Sequence, residues 1–313
     1  MEPIDIYYIG KDADGDPSSR WMPLIESSTI AAGQDYRTDR PIRGLHRGRR
    51  SDVYRDHEPV GHAGGAGGHP ARQPHAGGWR PSGLWVDPLT LDLADIGDFD
   101  LALGDIPASL ARIEAQADGL AHLLCLGGEH SISLPLLRSL RRRLGAPVAL
   151  VHFDAHVDTW ADNFGQAYAH GSVFYHAIRE GLVDPKRMIQ IGIRSPMQRD
   201  VWDWTIGQGV TILSAIDVHT QGAAAVTDRI RAVVGEAAAY LSFDIDALDP
   251  AFAPGTGTPE SGGLTSWQAQ VILRGLRFQG MDVVEVAPAY DTAEITALAA
   301  ATVVWEYVAL LQA

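Results

Sequence analysis

Three short apolar runs, each breaking off into an acidic or acid–histidine stretch, constrain this chain more than any other feature. Leu123-Leu124-Cys125-Leu126 runs into Gly127-Gly128-Glu129-His130. Val148-Ala149-Leu150-Val151 precedes Asp154-Ala155-His156-Val157-Asp158, and Ala239-Tyr240-Leu241-Ser242-Phe243 precedes Asp244-Ile245-Asp246. Continuous apolar runs of this length read as strands buried on both faces, the condition of a parallel sheet. Ligands of open α/β sheets collect outside the carboxyl ends of the strands. The carboxylates and imidazoles fall at those ends.

From Leu89 onward, strand and helix patterns alternate, the sign of an α/β fold whose central parallel sheet is covered by helices on both faces. Helices are expected over Ile106–Leu120, Ser131–Leu144, Val226–Val234, Trp267–Leu276 and Ile295–Leu311. Further strands are expected over Met188–Ile193, Val210–Leu213 and Asp282–Val286.

Side chains at i, i+2 and i+4 of extended chain share a face. That periodicity sets Asp154, His156 and Asp158 together, and likewise Asp244 and Asp246. Four aspartates and two histidines at one sheet edge repel unless positive charge lies between them, and two divalent cations supply it. Oxygen-rich sites with a minority of imidazoles suit manganese better than a thiolate-loving metal. No cysteine accompanies the set, which argues against a structural zinc of the Cys-rich kind. The expected centre is therefore hydrolytic, with two manganese ions. Such ions bring the pKa of a bound water toward neutrality.

These motifs, in order and spacing from about Val86 to the C-terminus, resemble the ureohydrolases: arginase, agmatinase and their relatives. The resemblance implies the three-layer arginase-like fold, assembled as a homotrimer or homohexamer. It implies His130 and Asp158 on one manganese, His156 and Asp246 on the other, and Asp154 and Asp244 bridging both. Glu129 replaces the more usual aspartate before that histidine and is not itself a ligand in the family. The resemblance further implies Glu285 pairing with the guanidinium, Asp158 accepting a proton, and His170 delivering one to the departing amine. Within the family, Gly280–Asp291, Glu294–Thr302 and His170–Tyr175 are most similar to the agmatinase branch.

Substrate choice turns on charge. The stretch from Thr159 to Ser172 contains no Lys or Arg to hold a substrate carboxylate, and it offers Trp160, Asp162, Phe164 and Tyr168. That composition suits a small cationic guanidino compound, agmatine in the first place. Guanidinobutyrate or another guanidino acid is the alternative, with Arg194 or Arg199 reaching in from elsewhere. Two other classes compete: a zinc deacylase of related architecture and a catalytically silent relative. His152 reads as a packed strand residue rather than a seventh ligand, and His122, His176 and His219 as structural or exposed.

The formal net charge of −14 disfavours nucleic acid and favours attraction of a cation. The lone cysteine, Cys125, has no internal disulfide partner, which fits a reducing cytoplasm. No apolar run is long enough to span a bilayer, and a membrane partner is not expected.

Residues 1–83 form an atypical segment before the catalytic domain of 84–313, although the whole chain reads as one domain. Between Arg37 and Arg80 stand nine arginines, five histidines and no lysine, with neither helical nor strand periodicity. No core strand or Gly-Pro loop is recognisable there. The segment reads as divergent, disordered or polyanion-binding, or as GC-rich DNA translated in a shifted frame, the reading preferred here.

Overall fold

The computed structural model of the chain describes residues 4–8, 91, 93–163 and 165–311. Eight strands make one sheet: β1 (Ile4–Tyr8), β2 (Leu93–Asp98), β3 (His122–Leu126), β4 (Val148–Phe153), β5 (Val183–Ile193), β6 (Thr211–Ser214), β7 (Ala239–Asp244) and β8 (Gly280–Val284). Their order is β2-β1-β3-β8-β7-β4-β5-β6, and every pairing is parallel. The helices are α1 (Ile106–Ala117), α2 (Ser133–Leu144), α3 (Val173–Arg179), α4 (Arg199–Gly207), α5 (Ala215–Gln221), α6 (Ala223–Val234), α7 (Ser266–Leu273) and α8 (Ile295–Leu310).

Strand alternation splits the core into two layers. Val151, Phe153, Leu241, Phe243, Met281 and Val283 face α5 to α8, packing with Val226, Ile230, Ile272 and Val303. Val148, Leu150, Met188, Tyr240 and Val284 face α1 to α3, packing with Ile113, Leu137 and Phe174. Both faces of β4 and β7 are buried along their whole length, which is why those strands read as unbroken apolar runs. This is the expected three-layer α/β architecture.

Local chemistry sets the helix ends. Asp105 caps α1 by accepting from the Ala108 N–H at 2.9 Å, and Thr265 and Gln268 form a reciprocal capping box at α7. Gly145 ends α2 at φ 70°, the left-handed conformation that glycine adopts without strain.

The structure corrects several expectations. A core strand does exist in the first 83 residues: Ile4–Tyr8 pairs with β3 on one side and β2 on the other. Five residues suffice for a backbone ladder, and Ile4-Asp5-Ile6-Tyr7-Tyr8 lacks the unbroken apolar run by which the equally short β3 was read. Strand β2 and helices α3, α4 and α5 were also missed. Strand β5 starts at Val183, five residues before the expected Met188, because its first half carries exposed Lys186 and Arg187. The readings placed on Arg37–Arg80 lie outside the described residues.

Candidate metal centre and active site

Strands β3, β8, β7 and β4 are consecutive neighbours in the sheet. Their carboxyl ends therefore converge. His130 opens the turn after β3, Glu285 follows β8, Asp244 ends β7 with Asp246 just beyond, and Asp154, His156 and Asp158 follow β4.

The convergence does not arise from extended alternation, as the sequence reading supposed. Asp246 lies in a 3-10 turn, Ile245–Ala247, that begins when the Asp244 carboxylate accepts the Asp246 N–H at 2.8 Å. β4 stops at Phe153, and the Asp154 carboxylate accepts the His156 N–H at 2.6 Å. Asp158 then adopts φ 49° and Glu285 φ 60°. Non-glycine residues in the left-handed region are costly and concentrate where function requires a particular side-chain direction.

Two adjoining groups result. His130 Nδ1 lies 3.0 Å from Asp158 Oδ2, 3.1 Å from Asp244 Oδ2 and 3.5 Å from Asp154 Oδ2. His156 Nδ1 lies 3.1 Å from both Asp154 Oδ1 and Asp246 Oδ2. Asp154 belongs to both. The Ala155 N–H and the Thr258 hydroxyl donate to the two oxygens of Asp246.

The electrostatics are those of a site that demands cations. Burial and neighbouring carboxylates push the Asp158, Asp244 and Asp246 carboxyls upward. Burial opposes the charge on His156, but its bonds to Asp154 and Asp246 outweigh this and push it up to about 12. Burial also opposes charge on His130, yet Asp158 and Asp244 draw it well above the ordinary imidazole range. Its Nδ1 nevertheless has no well-formed hydrogen bond, which leaves a buried ring nitrogen without a partner. A buried ring nitrogen that faces three carboxylates is placed as a metal ligand would be. His130, His152, Asp154 and Asp158 form one group able to hold a metal ion, and Asp154, His156 and Asp246 another. An oxygen-rich set with few imidazoles and no thiolate fits divalent cations.

Beneath these groups runs a polar row that the sequence reading largely overlooked. Asp282 on β8, Ser242 on β7, His152 on β4 and Gln190 on β5 are register partners across four adjacent strands, and all four are fully buried. Ser242 donates to Asp282 at 2.7 Å and contacts His130 Nε2 at 2.9 Å. His152 Nε2 lies 2.8 Å from Asp154 Oδ2, while its Nδ1 lies 3.0 Å from Gln190 Nε2. His152 thus joins the row, through Gln190, to the cluster, through Asp154. A polar residue inside a strand buried on both faces was the available signal, for buried polar groups persist only when hydrogen-bonded.

On the opposite side, Glu285 accepts the His130 backbone N–H at 2.8 Å, and burial pushes its carboxyl up to about 7. Glu129 accepts the backbone N–H of His170 at 2.7 Å and lies 3.4 Å from its Nδ1. Hydrogen bonding to Glu129 raises the pKa of His170. Asn163 reaches the other ring nitrogen of His170 at 2.9 Å. Glu129, which seemed of little consequence in the sequence, tethers the 159–172 stretch to the end of β3. Arg194 is occupied elsewhere: its guanidinium donates to the carbonyls of Asp246 at 2.8 Å and Glu260 at 2.6 Å. Arg199 pairs with Asp203 on the exposed side of α4. Phe164 lies outside the described residues.

A parallel α/β sheet with a carboxylate–imidazole cluster at its strand ends, able to hold metal, is the layout of a metal-dependent α/β enzyme. The sequence pattern of the arginase family matches residues 75–309, reaching further back than Val86. The chain is 48% identical over 223 residues to an agmatinase of Escherichia coli O7:K1, covering 69% of this chain and 70% of that one. An agmatinase of Salmonella newport is 47% identical over the same shares. A crystal structure of a hypothetical agmatinase from Burkholderia thailandensis is 34% identical with a TM-score of 0.74, over 99% of this chain and 86% of the other. Proclavaminate amidino hydrolase from Streptomyces clavuligerus is 38% identical with a TM-score of 0.65, over 70% and 77%. The chain belongs to the arginase family. It is a ureohydrolase, an enzyme that hydrolyses C–N bonds.

Proposed function

We propose that this enzyme hydrolyses agmatine to putrescine and urea, using two manganese ions held by His130, Asp154, His156, Asp158, Asp244 and Asp246. The observation that carries the substrate assignment is the 48% identity to an agmatinase over 223 residues. Charge supports it. Among the described residues, the stretch from Thr159 to Ser172 offers no Lys or Arg, and the guanidinium of Arg194 is taken up by backbone carbonyls. A guanidino acid would leave its carboxylate without a cation there, whereas agmatine ends in an ammonium group.

In this reading His130 and Asp158 would hold one ion and His156 and Asp246 the other, with Asp154 and Asp244 available to both. Bound there, the pair would supply an activated water at neutral pH and would offset the carboxylate charge. The protein's own groups do the rest. Glu285 forms a charge-assisted pair with the guanidinium and fixes its carbon over the cluster. Asp158 accepts a proton as water adds to that carbon. His170, whose pKa Glu129 raises, delivers a proton to the amine nitrogen as its bond to carbon breaks. Water, guanidinium and these transfers balance to urea and the protonated amine. Residues 84–313 carry this catalytic unit. The cytoplasm, and assembly as a trimer or hexamer, are part of the same proposal.

Urea release from agmatine, guanidinobutyrate and arginine, measured in parallel with added manganese, tests the assignment. The highest kcat/KM is expected for agmatine. A preference for either carboxylate-bearing compound overturns it.

A further inference from the structure

We propose that Ser242 and Asp282 form a positioning relay for the metal centre, holding the Nε2–H of His130 so that Nδ1 alone is free to bind an ion. The inference rests on the metal-centre reading above. Its basis is a set of directions. Asp282 is fully buried and accepts three hydroxyl protons: Ser133 and Tyr240 donate to Oδ2 at 2.7 and 2.8 Å, and Ser242 donates to Oδ1 at 2.7 Å. Once the Ser242 hydroxyl proton is committed to Asp282, its oxygen can only accept from His130 Nε2, 2.9 Å away. That nitrogen therefore carries a proton whatever the state of the ring. The other nitrogen faces Asp154, Asp158 and Asp244 and lacks a hydrogen-bond partner.

Phe174 packs edge-on against the His130 ring at 5.3 Å, limiting its rotation. The carboxylate–hydroxyl–imidazole chain thus selects the tautomer and the ring direction together. Outer partners of metal-bound histidines are worth about 10–100-fold in metal affinity.

The experiment is calorimetric titration of manganese(II) chloride into the metal-stripped full chain, with thermal unfolding of the metal-free form measured alongside. Ser242→Ala is expected to weaken one of two manganese sites by about 10–100-fold, and Ser242→Thr, which keeps the hydroxyl, to restore it. Asp282→Asn is expected to resemble Ser242→Ala. Ser133→Ala, which removes a bond to Asp282 but leaves the relay intact, is the control for general damage to the buried row. It should lower the unfolding temperature while keeping both affinities within about threefold. Wild-type affinity in Ser242→Ala, or equal losses in Ser133→Ala and Ser242→Ala, overturns the relay while leaving the metal centre standing. Fewer than two ions on the wild-type chain removes the metal-centre reading and the relay with it.

Discussion

Glu129 joins two segments of the site. Its carboxylate spans from the end of β3 to the 159–172 stretch, accepting the N–H groups of Ser131 at 2.7 Å and His170 at 2.7 Å. Burial opposes its ionisation, but the bonds to His170 and Ser131 more than compensate and hold the carboxyl below its usual range. His170 is thereby oriented, and its bond to Glu129 raises its pKa. A positioned general acid contributes roughly 10²–10⁴-fold to rate. Under the proposed mechanism, Glu129→Ala is expected to lower kcat on agmatine by about tenfold or more while KM changes little, because the proposed pair between Glu285 and the guanidinium is kept. Steady-state kinetics separate the two parameters, and a change confined to KM contradicts the assignment.

At the scale of elements, Arg194 joins segments that come from different parts of the chain. Beyond the end of β5, its guanidinium donates to carbonyls of Gly192, Asp246, Ala247, Leu248, Glu260 and Ser261. It thereby braces the 3-10 turn that carries Asp246. Removing it leaves several half-buried carbonyls unsatisfied, each at about 1–3 kcal/mol. Arg194→Ala is expected to destabilise the chain by about 3 kcal/mol in urea unfolding, against about 1 kcal/mol for loss of the Thr265 cap in Thr265→Ala. Similar small effects from both would show that the brace is weak.

Elements such as α2, β4, β7 and α8 were legible because their burial is long and periodic or continuous. The short helices α3, α4 and α5, of seven to nine residues, were not read, whereas α7, of eight, was. The residue types of the candidate site were readable from their place after apolar runs. Their geometry was not, because it depends on carboxylates capping 3-10 turns and on two left-handed backbone positions. The polar row of Asp282, Ser242, His152 and Gln190 was hidden for another reason: adjacency of β8, β7, β4 and β5 is a property of sheet order, which no local pattern reveals.

The whole molecule couples charge to stability away from the site as well. His122 Nε2 meets the Tyr307 hydroxyl at 2.6 Å, tying β3 to α8. Burial, with the nearby Arg143, lowers its pKa to about 4. The unfolded chain therefore binds this proton first. The resulting stability is present above pH 6.5, is lost as pH falls toward 4, and amounts to at most about 3 kcal/mol. His122→Gln, which keeps a polar partner for Tyr307 but cannot titrate there, is expected to flatten this part of the acid limb in pH-dependent unfolding of the metal-free chain. An unchanged limb would assign the acid sensitivity elsewhere.

The net charge of −14 also places the cluster in a field that attracts cations. Two divalent ions, one beside His130 and Asp158 and one beside His156 and Asp246, are the centre of the proposed function. Elemental quantification of the full chain, saturated with manganese and then desalted, tests this directly. Two equivalents per chain are predicted, falling to one in His156→Ala. A wild-type value of one or none contradicts it.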